Sequence, residues 1–94
     1  MTGLVLAGGQ APLHAADTAS GSKLYATHCA SCHGNRGEGA MPGTPNFARA
    51  NSLLQPDARL LQNIKDGKNA MPGYYGILKE REILDVIAHL RTFY

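Results

Sequence analysis

Tryptophan is absent from this 94-residue chain, and aromatic residues make up only 6% of it. A chain of that length allows one small domain, and with so few large side chains its conventional core is thin. Domains of this kind often need a staple or a cofactor to hold together. No apolar run reaches the ~18 residues that a membrane-spanning helix requires. No basic run is present, and a formal charge of +2 is too small to argue for nucleic acid. Paired carboxylates, a nucleophile with its base, and a phosphate-cradling loop are all missing, so nothing points to substrate chemistry. Asp57, Asp66 and Asp85 read as helix-end or surface charges. Cysteine occurs only twice.

Those two cysteines carry the most information. They stand in Cys29-Ala30-Ser31-Cys32-His33, the C-x-x-C-H pattern of c-type haem attachment. Two thiols at this spacing suit addition to the two vinyl groups on one edge of a porphyrin. The next residue then sits beneath the iron, where an imidazole nitrogen can bind it. Ala30 and Ser31 are small and let the loop lie close to the ring. Other readings of the same residues are weaker. A disulfide across this short loop would stabilise little. A thioredoxin-like pair wants a βαβ pattern that is not visible. A zinc site needs four ligands, and His14, His28 and His89 do not have the spacing to complete one.

Hydrophobic periodicity places helices around the motif. A first helix is expected from Ser20 or Ser22, either of which suits an N-cap, with Leu24 and Tyr25 facing inward. A glycine-rich loop follows from residue 34 to 43. A second helix is expected over residues 56–65, with Pro56 or Asp57 in its first turn, Leu60, Leu61 and Ile64 as its apolar stripe, and Gly67 at its end. The last helix is expected from about Lys79 to Arg91 or beyond, with Ile83, Val86, Ile87, Leu90 and Tyr94 on one face and Glu80 and Glu82 in the first turn.

Residues 1–16 carry no charge, and a polar stretch begins at Asp17. The run Leu4-Val5-Leu6-Ala7 and the small residues of Leu13-His14-Ala15-Ala16-Asp17 suit a secretory segment that lacks its positive n-region, with Met1 an internal or misassigned start. The other reading is a flexible extension. The expected division is 1–19 as signal-peptide remnant or extension and 20–94 as the folded domain.

From about Ser20 to Tyr94 the chain resembles the class I, or mitochondrial-type, c-type cytochromes of the small bacterial kind. Beside the C-x-x-C-H motif the resemblance rests on Gly21-Ser22-Lys23-Leu24-Tyr25, on Gly34, Gly37 and Gly39, on Pro45-Asn46-Phe47, on Ile64 to Pro72, and on the amphipathic last helix. His89 departs from it, standing where relatives often carry an aromatic, and is expected to pack near Gly21.

The resemblance implies an all-α fold of three to four short helices around one covalently bound haem c. It implies an axial bond from His33 whose ring is fixed by the Pro45 carbonyl, and a second axial ligand from Met71. Met71-Pro72-Gly73 and Met41-Pro42-Gly43 look alike, but Met41 lies inside the proximal loop, only eight residues past His33. His28 is expected at the surface. One of Tyr74 and Tyr75 binds a haem propionate or shields the distal face, or else merely fills the loop, and Asn69 steadies the loop or points at the methionine sulfur. The expected function is that of a periplasmic one-electron carrier, a monomer, shuttling between redox protein partners. The alternatives are a five-coordinate haem sensor or weak peroxidase, and an electron-delivery subunit of a respiratory or iron- or sulfur-oxidising complex. Cations near Arg36, Lys65, Lys68 and Lys79 suit docking to an acidic partner or are simply solvated.

Overall fold

The computed structural model describes residues 15–49 and 53–94, so Met1, His14 and the apolar run at 4–7 lie outside the described residues. Four helices follow one another, α1 (Thr18–His28), α2 (Ala30–His33), α3 (Asp57–Asp66) and α4 (Glu80–Leu90). Among the described residues there is no strand, only single bridges joining Lys68 to Met71 and Tyr75 to Leu78.

Helix α1 begins earlier than either serine suggests. Asp17 is its N-cap, and its carboxylate accepts from the Ala19 and Ser20 amides at 2.9 and 3.2 Å. A charged acceptor also complements the positive end of the helix dipole. The Asp17 amide in turn donates to the Asp85 carboxylate of α4 at 2.8 Å. Residues 17–19 therefore belong with the helical domain, and its boundary falls before the expected residue 20. Asp85 is not a surface charge: it is 4% exposed, on the face of α4 that meets α1.

The two terminal helices cross at Gly21. A methyl group there would overlap the Asp85 carbonyl oxygen, so the backbones touch through the missing side chain. Ile83, Val86, Ile87 and Leu90 of α4 are buried, together with Tyr25 of α1 and Leu60 of α3. Helix α3 keeps its expected bounds to within a residue: Asp57 stands in its first turn, and Gly67 ends it at φ 77°. Helix α4 is capped by Glu82, whose side chain accepts from the Lys79 amide at 2.8 Å.

Past α4 the expected stripe breaks, because Tyr94 is 58% exposed. Its hydroxyl instead accepts from Arg91 at 3.2 Å. The Arg91 guanidinium also donates to the Leu53 and Gln55 carbonyls, at 2.8 and 2.7 Å, and to Asp57 at 2.7 Å. The ion pair is partly solvated and weak by itself. The carbonyl bonds tie the start of α3 to the end of α4.

His89 does not approach Gly21. Its ring lies against Tyr25 and Phe93, with centroids 5.3 and 4.9 Å away. Burial holds its pKa below the usual imidazole value. The folded chain then resists a proton that the unfolded chain accepts, so this site favours folding above pH ~6.5 and that favour fades as the pH falls below it. Urea unfolding should show lower stability at pH ~5.5 than at ~7.5. His89→Phe, which keeps a ring between Tyr25 and Phe93, should remove part of that loss.

Candidate functional site

The end of α1 and the single turn of α2 fix three side chains in one place. Cys32 and His33 donate their amides to the Cys29 carbonyl at 3.2 and 3.0 Å, and the Cys29 amide closes onto Tyr25 at 2.8 Å. Neither thiol is in a disulfide. Burial, with Cys32 adding to it, pushes the Cys29 thiol up to about 11, so it is protonated at neutral pH. That is the opposite of the lowered thiol of a dithiol oxidoreductase. Among the described residues no group of three or more His, Cys, Asp or Glu could hold a metal ion, which removes the zinc reading.

After α2 the glycine loop folds back on the motif. Gly39 donates to the His33 carbonyl at 2.7 Å, and Ala40 and Met41 donate to that of Cys32 at 2.9 and 3.1 Å. This carries residues 41–45 along one wall of a cleft. The other wall is the segment after α3. Lys68 and Met71 exchange backbone hydrogen bonds at 3.0 and 2.9 Å around Asn69, which adopts a left-handed φ of 54°. Asn69 thus shapes the turn through its own backbone, a conformation that asparagine tolerates better than most residues. The turn is seated on the end of α3 by the Tyr74 amide, which donates to Ile64 at 3.0 Å.

The cleft between these walls has a volume of about 530 Å³ and is lined mainly by apolar surface. That falls within the ~300–1,000 Å³ typical of small-molecule and cofactor sites. Cys29, Cys32, His33, Pro45, Met71 and Tyr74 all line it, as do Met41 and His28. The structure thus brings together every residue expected at the site. Met71 is partly buried, whereas Met41 is 48% exposed.

Three details differ from expectation. His33 makes no hydrogen bond to Pro45: its Nδ1 is buried and has no partner. Its ring instead stacks on Phe47, with centroids 4.8 Å apart and planes at 19°. Burial lowers the His33 pKa. His28 is only partly exposed and joins the cleft wall, its ring edge-on to Tyr74 at 5.6 Å. The Tyr74 hydroxyl donates to the His28 carbonyl at 2.9 Å, so it braces the motif against the far wall and has committed its proton there. Tyr75, next in sequence, is 79% exposed and lies outside the cleft.

The expected cationic patch is divided among several tasks. Lys68 lines the cleft, while Lys65 pairs with Glu80 at 2.6 Å.

Neutral thiols, an imidazole nitrogen with no hydrogen-bond partner and a thioether around an apolar cleft fit a tethered porphyrin and its iron. Comparison with known proteins bears on the same point. The family described as cytochrome c oxidase, cbb3-type, subunit III matches residues 16–90. A cytochrome c6 of Synechococcus sp. is 33% identical over 89 residues, covering 84% of this chain and 72% of that protein. One from Pyropia tenera is 36% identical over 73 residues, covering 74% and 85%. Among solved structures the KustC0563 c-type cytochrome has a TM-score of 0.71 at 29% identity, covering 78% of this chain and 95% of that one. Cytochrome c6 from the diatom Phaeodactylum tricornutum shares the fold with a TM-score of 0.66 at 24% identity, covering 83% and 99%.

Proposed function

We propose, for a chain that belongs to the small class I c-type cytochromes, that its haem c is held between His33 and Met71 and serves redox partners in the periplasm. Membership makes the protein a haem c electron carrier with no substrate chemistry of its own. The observation that supports the finer reading is the meeting of Cys29, Cys32, His33 and Met71, 38 residues past His33, around one apolar cleft.

The bound group supplies a one-electron couple at its iron, and the chain decides how that couple behaves. Cys29 and Cys32 tether it, each S–H adding across a vinyl group without any change of oxidation state. His33 and Met71 take the two axial positions and leave none for a small ligand. The Met71 thioether favours the reduced state. Pro42, Pro45 and Ala70 keep water from the lining, which further disfavours the extra positive charge of the oxidised state. Among the described residues no helix is long and apolar enough to cross a membrane. That agrees with a carrier for which residues 1–16 act in export, although those residues bear on it only through their sequence.

The test is expression in a host competent in c-type maturation. The denatured wild-type chain should carry the mass of one haem. Cys29→Ala and Cys32→Ala should each leave at most a single thioether and lower the yield of haem-bearing protein severalfold. A wild-type chain whose haem is released on denaturation would refute the reading.

A second reading, electron delivery within a standing oxidase complex, draws on the subunit description of the matching family. A carrier elutes alone from its native membrane extract, whereas a subunit co-elutes with its oxidase at high salt.

A further inference from the structure

We infer that Phe47 positions the His33 imidazole, setting the plane of the ring by stacking where the family resemblance implies a hydrogen bond. The inference rests on the reading of His33 as an axial ligand. The two rings lie nearly parallel, at 19°, with centroids 4.8 Å apart, which is the offset-stacked arrangement that aromatic pairs prefer. No hydrogen bond competes for the orientation, because His33 Nδ1 is buried and has no partner. An imidazole with neither constraint would turn about its Cβ–Cγ bond, for which the rotamer wells are broad.

Phe47 is itself held on several sides. It is buried within the core cluster, and its amide donates to the Gly37 carbonyl at 2.7 Å. Gly37 has a φ of 73°, and a methyl group there would lie 2.8 Å from the Phe47 Cβ and 2.8 Å from the Phe93 ring. The glycine thus lets Phe47 and Phe93 close over it from two directions. Phe93 is braced in turn by Tyr25, with ring centroids 5.3 Å apart. The orientation of His33 is therefore passed outward through Phe47 to the packed aromatic end of the helical core. A leucine at position 47 would fill much of the same space without a flat face.

The experiment is proton NMR of the oxidised holoprotein, in which the spread and order of the haem methyl resonances report the plane of the axial imidazole. Phe47→Leu and Phe47→Met remove the flat face while retaining apolar bulk. Ile83→Val, in the same core but away from the cleft, controls for general loosening. The expected result is a shifted or reordered methyl pattern in the two Phe47 variants, with the wild-type pattern kept in Ile83→Val. Either of three results would overturn the inference: a wild-type pattern in both Phe47 variants, an equal change in Ile83→Val, or loss of haem attachment in both Phe47 variants alone, since ring orientation is not needed for attachment. Failure of the wild-type chain to carry covalent haem would instead overturn the reading beneath it.

Discussion

Met71→Ala is expected to abolish the weak red absorption band of a methionine–iron(III) bond, lower the reduction potential and open the iron to rapid carbon monoxide binding. Met41→Ala should do none of these. Both methionines line the cleft and both precede Pro-Gly, so composition alone does not separate them. Their settings do. Met71 is partly buried and its backbone is clamped by two hydrogen bonds to Lys68, in a turn seated on α3. Met41 is 48% exposed, on the loop that folds back over Cys32. Exchange of a thioether for water removes the ligand that favours the reduced state, so the potential should fall by a visible fraction of the ~0.8 V span that axial ligands command. If the band survives Met71→Ala and disappears in Met41→Ala, the assignment is reversed. If the wild type has no band and binds carbon monoxide at once, the sensor or peroxidase reading replaces the carrier.

The second large effect concerns the fold, and its sign is informative. In an open helix, Gly→Ala stabilises by about 0.5–1 kcal/mol, because alanine is the better helix former. Gly21 lies inside α1, yet a methyl group there would overlap the Asp85 carbonyl of α4. The backbone on the far side cannot move aside as a flexible side chain could. Gly21→Ala should therefore destabilise, by about 3 kcal/mol or more, at the upper end of overpacking costs. For a domain of this size that lowers the midpoint of thermal unfolding by roughly 12–24 °C. A rise in the midpoint, or no change, would show that the two helices do not touch there.

Local chemistry was legible in the sequence, and long-range chemistry was not. The five residues of the haem motif, the stripe of α3, the Gly67 stop and most of the α4 face were all readable within a few residues of one another. The start of α1 was not, because Ser20 and Ser22 are reasonable caps and the deciding partner of Asp17 is Asp85, 68 residues away. For the same reason Asp85 looked like a surface charge. Tyr74 and Tyr75 could not be distinguished by composition; the bond from the Tyr74 amide to Ile64 turns one inward and leaves the other outside. The Phe47 stack on His33 left no sequence signal beyond an aromatic two residues after Pro45.

The crossing of the terminal helices also gives the molecule an order of events. A chain made from its N-terminus presents Cys29, Cys32 and His33 while about 60 residues are still to come. At the ~5–20 residues per second of synthesis those take roughly 3–12 s, whereas helices and loops close in microseconds. Until residues 83–90 arrive, α1 has nothing to cross and the motif stays accessible to whatever attaches its cofactor. The last helix acts as a clock as well as a wall. A circular permutant that places α4 ahead of α1 would shut that window early, and should mature poorly even where its finished fold is the same.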